Sequence, residues 1–348
     1  MTTPTHPFLP LPPSDHLAGL STGPVIEVED LEKRFAARGK EVVAVAGLSF
    51  SVAAGEIFGL LGPNGAGKTT TMRMLTTLLP IDAGRAVVAG VDVAARPAEV
   101  RRQIGYVSQA GGADTLATGR ENLFLQGALY GMGRAELDTR VPEVLGLLDL
   151  GELADRRVKT YSGGQRRRLD VALGIVHRPQ VLFLDEPSTG LDPQNRANLW
   201  DHVRSLAEGG TTVVLTTHYL EEADALCDRV VIVDHGRIVA QGSPGALKAE
   251  VPGATLTLGI ADPDARGRAA ALLGSLPGLA DVVSGDDVRV HVAGGSAAVP
   301  DLLVALTRAG VVISSLSLSE ASLDDVFLAA TGRSLRDTAA EPTGRTMR

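Results

Sequence analysis

The amino-terminal part of the chain alternates apolar and polar positions in two segments, VIEVEDLEKRF from Val25 and VVAVAGLSFSV, with the polar turn ARGK between them. A period of two is typical of half-buried strands, and so short a polar connection favours an antiparallel pair. The following segment, EIFGLL, is apolar almost throughout, which indicates a strand buried on both faces. The pattern therefore predicts an antiparallel β layer beside the first strand of a buried sheet.

Apolar residues recur at helical spacing from about 121 to 177, which predicts a helical subdomain over about 110–177. The helices are predicted in ENLFLQGALYGM, RAELDTRVPEVLGLLDL and GGQRRRLDVALGIVH. After this block, strand and helix patterns alternate. The strands are VLFLD, TTVVLTTH and RVVIVDHGRIVAQG, the last taken as one strand, and the helices between them are NRANLWDHVRSLAEG and LEEADALC. This alternation predicts an α/β fold with a parallel sheet, into which the helical subdomain is inserted.

Beyond about residue 250 the composition shifts to Ala, Gly and Val. The predicted order is strand ATLTLGI, helix ARGRAAALLGSL, strands DVVSG and DVRVHVA, helix VPDLLVALTRAG and strand VVISSLSLS. This βαββαβ order predicts an α+β unit of ferredoxin-like type over 250–331, and the short helix SLDDVFLAATG at its end is expected to pack on it. The proline-rich residues 1–24 predict a disordered leader, and residues 332–348 predict a flexible tail.

Composition and charge narrow the possible functions of the 348-residue chain. A formal net charge of −8 leaves no basic surplus to neutralise a phosphate backbone, so we expect no nucleic-acid partner. Cys227 is the only cysteine, which excludes an intrachain disulfide, and we expect it to be a buried, inert thiol. No apolar run approaches the roughly 20 residues that cross a bilayer, so the chain is not expected to span a membrane by itself.

A glycine-rich segment, GPNGAGKTT at 62–70, lies between EIFGLL and the predicted helix GKTTTMRMLTTLL. It matches G-x-x-x-x-G-K-[ST] in the strand–loop–helix context that a phosphate-binding loop requires. Glycines let backbone N–H groups turn toward phosphate oxygens, and the helix N-terminus adds partial positive charge. The predicted phosphate-binding residues are Gly62, Pro63, Asn64, Gly65, Ala66, Gly67, Lys68, Thr69 and Thr70. Lys68 is expected to reach the β- and γ-phosphates and Thr69 to ligate Mg²⁺; the alternative is a tight strand-to-helix turn without a ligand.

Asp185 ends the apolar strand VLFLD, and a second acid, Glu186, follows it directly. A carboxylate at the carboxyl end of a parallel strand can meet the metal bound with the phosphates, and the next one can activate a water aimed at the γ-phosphate. We therefore predict Asp185 as a magnesium ligand and Glu186 as the general base. The alternative is an ordinary solvated strand end.

The segment YSGGQ at 161–165 resembles the LSGGQ signature of the ATP-binding cassette (ABC) ATPases, which other phosphate-loop proteins lack. The other motifs of that family are similar to segments over about 25–245. They are Phe35 as the adenine-stacking aromatic residue, Gly62–Thr70 as Walker A, Gln109 in the Q-loop, Val181–Glu186 as Walker B, residues 188–192 as the D-loop and His218 as the switch histidine. Tyr161 departs from the usual leucine, and Phe35 from the more common tyrosine. The resemblance implies a P-loop ABC ATPase core.

The same resemblance implies ATP and Mg²⁺ as ligands and a head-to-tail dimer with a second ATPase subunit, for which a second copy is expected. Gln109 and His218 would be catalytic, with Gln109 also near the metal. Residues expected to reach the partner's ATP are Ser162, Gly163, Gly164, Gln165 and Asp192. Gln109 as a plain loop residue and Asp192 as the cap of the following helix remain alternatives. The arginines at 166–168 are expected to form a solvated or salt-bridged face rather than a nucleic-acid patch.

The function that the resemblance implies is transport through an integral membrane permease on a separate chain. This subunit would be peripheral to the cytoplasmic face of the cell membrane. The segment GGADTLATGRENLFLQG is the expected docking surface for the permease. YSGGQRRRLD and SEASLDDVFLAATGR resemble exporter ATPases of the daunorubicin/doxorubicin-resistance type, which implies efflux of a hydrophobic drug. Alternatives are a lipid-like or polysaccharide cargo, a non-transport ABC ATPase and a non-hydrolysing nucleotide sensor.

Overall fold

The computed structural model describes residues 23–37, 40–251, 253–285, 287–293 and 295–332. The predicted leader lies outside the described residues up to 22, and the predicted tail lies outside them from 333 onward. The chain divides into two compact units, Met1–Gln241 and Gly242–Arg348. The first unit contains two sheets and the second contains one, and each unit has its own hydrophobic core.

The first unit combines an antiparallel layer, a parallel sheet and a group of helices. Its strands are β1 (Ile26–Ala37), β2 (Lys40–Val52), β3 (Ile57–Leu61), β4 (Ala83–Val88), β5 (Val91–Asp92), β6 (Ile104–Val107), β7 (Val181–Asp185), β8 (Thr212–Thr217), β9 (Arg229–Asp234) and β10 (Arg237–Gly242). Its helices are α1 (Lys68–Leu75), α2 (Pro97–Gln103), α3 (Gly119–Leu129), α4 (Arg134–Leu147), α5 (Gly163–Ile175), α6 (Pro193–Glu208) and α7 (Leu220–Leu226).

The antiparallel layer has the strand order β2-β1-β4-β5. β1 pairs with β2, as the alternating pattern predicts, and also with β4. The pattern does not predict β4, β5 or α2, because β4 buries only part of its length and pairs with a strand that is distant in sequence.

The parallel sheet has the order β10-β9-β3-β8-β7-β6, and the strands from β9 to β6 run parallel. β3, β7 and β8 are buried at every residue, which explains their unbroken apolar sequences. The prediction of one strand over RVVIVDHGRIVAQG is wrong. His235 and Gly236 have φ of +46° and +75°, so the chain turns back there and forms two adjacent strands, β9 and β10.

The helical region carries α3, α4 and α5 between β6 and β7. Thr118 and Ser162 begin α3 and α5 with capping boxes, in which each side chain accepts a hydrogen bond from the N–H three residues on. Arg140 of α4 donates to the carbonyls of Ile175 (2.8 Å) and Val176 (3.0 Å), which ties α4 to the end of α5. α5 in turn packs on β6, so these helices are fixed to the sheet.

The second unit contains α8 (Pro244–Glu250), β11 (Ala254–Gly259), α9 (Pro263–Ser275), β12 (Leu279–Ser284), β13 (Asp287–Val292), α10 (Val299–Arg308), β14 (Ser315–Glu320) and α11 (Leu323–Thr331). The strand order is β12-β13-β11-β14 with antiparallel pairing, the arrangement of a ferredoxin-like unit. Strand β14 begins at Ser315 rather than at Val311. The sequence pattern does not predict helix α8. Helix α11, whose Leu323, Val326 and Phe327 are buried, packs against it.

Within the described part of the chain, no helix combines the length and the apolar character that a membrane crossing requires.

Candidate nucleotide site

The residues predicted for the phosphate side of the site follow the strands of the parallel sheet at one edge. The glycine loop follows β3, Gln109 lies two residues beyond β6, Glu186 follows β7 directly, and His218 follows β8 directly. Because parallel strands end at the same edge, the fold brings together four segments that are far apart in sequence. A cavity of about 480 Å³ lies there.

The glycine loop is shaped by close backbone approaches. A Cβ at Gly62 would meet the Val233 carbonyl oxygen, and a Cβ at Gly67 would meet the Ala44 carbonyl oxygen. Gly65 and Gly67 have φ of +81° and +108°, which side chains disfavour. The loop therefore needs glycine at these positions for its own path, and it leads into α1 with N–H groups at the helix N-terminus.

Lys68 is buried at the floor of the cavity. Its Nζ donates to the carbonyls of Gly62 (2.8 Å) and Pro63 (3.0 Å) and lies 3.8 Å from Glu186 Oε1. Burial lowers the pKa of the Lys68 ammonium, and the charges of Glu186 and Asp185 partly oppose that shift. An anion in the cavity would restore the solvation that the folded chain removes from this ammonium.

Thr69 and Asp185 bring two side-chain oxygen atoms that could ligate a metal close together beneath the loop. Thr69 Oγ1 donates to Asp185 Oδ1 (3.0 Å), and Thr216 Oγ1 donates to the same oxygen (2.7 Å). Tyr106 completes the surroundings with its hydroxyl 3.5 Å from Asp185 Oδ2. Thr216, which the sequence pattern does not single out, therefore fixes the carboxylate that is predicted to ligate the metal.

The oxygen set fits Mg²⁺, which prefers hard oxygen ligands and usually takes one or two from protein and the rest from phosphates and water. Thr69 and Asp185 would hold it, with the Gln109 side chain at the same cavity. Among the described residues, no group of three or more His, Cys, Asp or Glu could hold a metal ion. A metal here would therefore depend on the phosphates for its remaining ligands.

Glu186 is the centre of the polar contacts in the cavity. Gln109 Nε2 donates to its Oε2 (3.0 Å), Thr189 Oγ1 donates to the same oxygen (3.2 Å), and His218 Nδ1 lies 3.2 Å from Oε1. The contact with His218 is the largest cause that lowers the pKa of the Glu186 carboxyl, and Lys68 and Thr189 act in the same direction. Glu186 is therefore ionised at neutral pH.

The backbone of Glu186 is held in an uncommon conformation. Its φ is +46°, in the left-handed region that residues other than glycine seldom occupy. Its N–H donates to the carbonyl (3.1 Å) and the hydroxyl (3.0 Å) of Thr216, which stabilise the turn after β7. Strain of this kind is concentrated at functional sites.

The structure brings together most of the residues predicted for the phosphate side of the site. The described residues that line the cavity are Ala44, Asn64, Gly65, Gly67, Lys68, Thr69, Thr70, Gln109, Glu186, Thr189 and His218. Gly62, Pro63 and Asp185 do not line the cavity but accept hydrogen bonds from Lys68 or Thr69, and Ala66 is buried. Phe35 lies on β1 opposite Val42, with Lys33 Nζ 5.6 Å from its ring centroid, and does not line the cavity.

Sequence reasoning missed two cavity residues, Ala44 and Thr189. Lys33 of β1 pairs with Val45 and Arg34 with Val43, so Ala44 is the extra residue of a β-bulge. Bulges often occur next to active sites, but no sequence pattern marks this one. Thr189 lies inside the segment 188–192 already quoted as the D-loop, so that motif was a usable signal.

The signature residues lie at the start of α5, away from the cavity of their own chain. Ser162 Oγ accepts from the Gln165 N–H (3.2 Å), and Gln165 Oε1 accepts from the Ser162 N–H (2.9 Å). Apart from the adjacent residues and the backbone of the helix itself, no described atom lies within 4 Å of the position that a Cβ at Gly163 would take, whereas one at Gly164 would meet the Asn195 side chain. The first turn of α5 is therefore accessible at Gly163.

Asp192 begins helix α6 as its N-cap. Its Oδ1 accepts from the Asn195 N–H (2.9 Å), and its Oδ2 accepts from Asn195 Nδ2 (2.6 Å). Hydrogen bonds from Asn195 are the main cause that lowers the pKa of this carboxyl. The capping alternative is thus the contact that Asp192 makes within its own chain.

The expectation that residues 166–168 form a solvated or salt-bridged face is wrong for Arg167. This side chain is buried and donates to backbone carbonyls in the core of the first unit. Arg166 is exposed as expected. Helical spacing places neighbouring residues on different faces, so one of the arginines points inward.

Comparison with known proteins agrees with this geometry. The family model described as "ABC transporter" matches residues 45–189. The daunorubicin/doxorubicin resistance ATP-binding protein of Streptomyces peucetius is 45% identical over 86% of this chain and 91% of its own length. The Nod factor export ATP-binding protein I of Ralstonia nicotianae is 39% identical over 92% of this chain and 97% of its own.

A solved structure of a dimeric ATP-binding cassette in a post-hydrolysis state, bound to ADP and Pi, shares the fold. It has a TM-score of 0.58 and 23% identity, and it covers 63% of this chain and 98% of its own. Because the first relative is well above 30% identical and the two chains match over most of their lengths, the family is established. The chain belongs to the ABC transporter family and is one of its ATP-binding, ATP-hydrolysing subunits.

Proposed function

We propose that this subunit hydrolyses MgATP in a head-to-tail homodimer and thereby drives a separate membrane permease that exports a hydrophobic drug. The observation that carries the proposal is the Glu186 carboxylate, ionised and held beside the phosphate loop by Gln109, Thr189 and His218. A nucleotide-binding module without hydrolysis would not need a strained, charged side chain at that point.

The phosphate loop and its lysine bind the triphosphate in this account. Lys68 would exchange its carbonyl contacts for β- and γ-phosphate oxygens, and Thr69, Asp185 and Gln109 would hold Mg²⁺. The metal supplies charge neutralisation on the phosphates when bound. Phe35 is assigned to stack on the adenine at the antiparallel layer.

Glu186 accepts the proton of the attacking water at a carboxylate oxygen. Its contacts with His218 and Lys68 lower its pKa, which makes it a weak base before nucleotide binds. The negative γ-phosphate has the opposite effect on a nearby carboxyl, since like charges raise its pKa, and it draws Lys68 toward itself. Binding therefore strengthens the base at the moment it is needed, while His218 and Gln109 orient the water.

The homodimer is proposed because the signature residues do not reach the cavity of their own chain. The open first turn of α5 offers backbone N–H groups and helix-dipole charge to a phosphate. In a head-to-tail pair, Ser162, Gly163 and Gly164 would cover the γ-phosphate bound by the partner. The related cassette that is dimeric with ADP and Pi supports the formation of a dimer.

Docking to a permease is assigned to the helical region. Leu116, Leu125 and Leu129 are 60–74% exposed there, within or beside the segment predicted for docking. Exposed apolar side chains close together often mark a protein interface. Such a site, with no membrane-crossing helix in the described residues, fits a subunit that binds the cytoplasmic face of a membrane through its permease.

A drug is the proposed cargo because the relative named for daunorubicin/doxorubicin resistance matches nearly the whole chain. Export of another kind of cargo is the second candidate, favoured by the relative named for Nod factor export. Cells expressing the subunit with its permease should accumulate less daunorubicin than cells expressing a Glu186→Gln subunit. Equal accumulation in the two strains would turn the assignment toward the second candidate.

Glu186→Gln tests the hydrolytic assignment. The variant keeps the shape of the side chain but removes the base, so hydrolysis should fall by about 100-fold or more. ATP binding should persist, and ATP-bound dimers should accumulate in size-exclusion chromatography. Glu208→Gln, at the exposed end of α6, serves as the control and should behave as wild type. Full activity of Glu186→Gln would remove Glu186 from the mechanism.

A further inference from the structure

Arg167 lies on α5 one turn after the signature residues, and its guanidinium is buried among backbone carbonyls. Nη1 donates to the Ser108 carbonyl (2.7 Å), Nε donates to the Pro187 carbonyl (2.7 Å), and Nη2 donates to the Asp185 carbonyl (3.1 Å). The side chain is 7% exposed. A planar fork of donors suits such a set of fixed acceptors.

Each of these carbonyls adjoins a candidate catalytic residue. Ser108 immediately precedes Gln109, while Asp185 and Pro187 flank Glu186. The side chains of Gln109 and Glu186 meet at 3.0 Å in the cavity. The Arg167 guanidinium therefore hydrogen-bonds to the backbone of both the Gln109 loop and the Glu186 loop, whose side chains meet in the cavity.

Asp170, one turn further along α5, holds the other side of the Gln109 loop. Its Oδ1 accepts from the N–H groups of Gly112 (2.9 Å) and Ala113 (3.2 Å). The loop is thus attached to α5 before and after Gln109. Movement of α5 would carry Gln109 with it.

We propose that Arg167 is a positioning residue that fixes Gln109 and Glu186 relative to each other and to the signature helix. The proposal rests on the function proposed above, in which the same helix presents its first turn to the partner's nucleotide. Engagement of that turn would shift α5, and Arg167 would pass the shift to the base and the glutamine of its own chain. The two sites of the dimer would in this way be linked through one side chain in each copy.

The test compares Arg167→Met with wild type in the full-length chain. Loss of the fork should misplace Gln109 and Glu186 slightly, and a displacement near 1 Å can lower a rate by about 100-fold. We expect kcat to fall by about 10- to 100-fold, while KM and the calorimetric Kd for MgATP stay within roughly threefold. ATP-bound dimers should accumulate, because the variant still binds ATP but hydrolyses it more slowly.

Arg168→Met is the matched control for a purely structural role. Arg168 lies on the same helix and donates to the Leu148 carbonyl (3.1 Å) at the end of α4, away from the cavity. Its loss should lower the thermal midpoint yet leave kcat within about twofold of wild type. Arg167→Lys keeps the charge without the fork and should show a smaller loss of kcat than Arg167→Met; it carries the test if the methionine variant does not fold.

The proposal is overturned if kcat of the Arg167 variants stays within about twofold of wild type, or if kcat and MgATP binding fall together. Glu186→Gln in the same assay separates this result from a failure of the proposed function. An inactive Glu186→Gln beside active Arg167 variants rejects only the positioning role. An active Glu186→Gln rejects the assigned base itself.

Discussion

The phosphate loop and the signature turn each contain glycine at the start of a helix, yet the side chains around them differ. The loop faces side chains from three other segments, with Lys68 buried and Glu186 held by neighbours on several sides. The signature turn at Ser162 has its own capping box and the Asn195 side chain beside Gly164, and it is open at Gly163. One helix start has its catalytic surroundings within the chain, whereas the other lacks them.

In the function proposed above, the chain carries two halves of a site that do not meet within one molecule. The half at Lys68 would bind a triphosphate by itself. The half at Gly163 would act on a nucleotide bound by a second copy. Binding and turnover should therefore respond differently to changes in the two halves.

Gly163→Asp should have the largest effect on turnover while leaving the fold intact. The added carboxylate has free space and lies in the first turn of α5, where an acid stabilises a helix by about 0.3–1 kcal/mol. It would repel the partner's triphosphate, so we expect turnover to fall by about 100-fold or more. Thermal unfolding and single-chain ATP binding should be unchanged.

Gly163→Asn is the neutral control for that variant, because it has nearly the same size without the charge. Its turnover should exceed that of Gly163→Asp clearly at low salt. Equal rates for the two would mean that no phosphate approaches this turn.

Lys68→Ala should impair the phosphate-loop half of the site, because it weakens ATP binding. The ammonium is expected to make charge-assisted hydrogen bonds, each of which contributes about 1.5–3 kcal/mol, so affinity should fall at least about tenfold. Calorimetric titration with MgATP measures the loss, and Lys159→Ala, on an exposed side chain, should bind normally. Unchanged affinity for Lys68→Ala would contradict the phosphate loop.

Asp192→Asn should separate the two roles of that residue. Asparagine caps helices as well as aspartate, so the thermal midpoint should stay close to wild type, whereas Asp192→Ala should lower it. If the carboxylate reaches the partner's site, Asp192→Asn should still reduce turnover, by about tenfold. Normal turnover would leave Asp192 with the capping role alone.

Glu222→Gln should produce the smallest effect, a change in how the free energy of unfolding depends on pH. Burial is the main cause that raises the pKa of Glu222, although Trp200 Nε1 donates to its Oε1 (3.0 Å). The folded state then holds this proton to higher pH than the unfolded state, so the free energy of unfolding falls as pH rises from the unfolded pKa to the folded one. Glu222→Gln lacks that decline. Chemical denaturation from pH 4.5 to 8 should show wild type losing stability relative to the variant; parallel curves would contradict it.

The motif residues at the sheet edge could be predicted because each follows an apolar strand. Gly62, Glu186 and His218 come directly after EIFGLL, VLFLD and TTVVLTT, and parallel strands bring such positions together without further information. The rest of the site depends on contacts between distant backbones. The bulge at Ala44 and the hydroxyl of Thr216 on Asp185 carry no pattern in the sequence.

Arg167 shows the same limit most clearly. Three arginines in a row predict a charged surface, because burial of a guanidinium depends on carbonyls that only the folded loops supply. The turn at His235–Gly236 is different, since a residue followed by glycine between two apolar runs is a usable hairpin signal that the long-strand interpretation overlooked.

Mixing two inactive variants tests the divided site most directly. Lys68→Ala chains keep an intact signature, and Gly163→Asp chains keep an intact phosphate loop. Each mixed dimer then contains one undamaged composite site, so a 1:1 mixture should recover about one quarter of the wild-type rate per chain, given random pairing. A mixture no faster than the sum of its separate components would show that both halves act within one chain and would contradict the account.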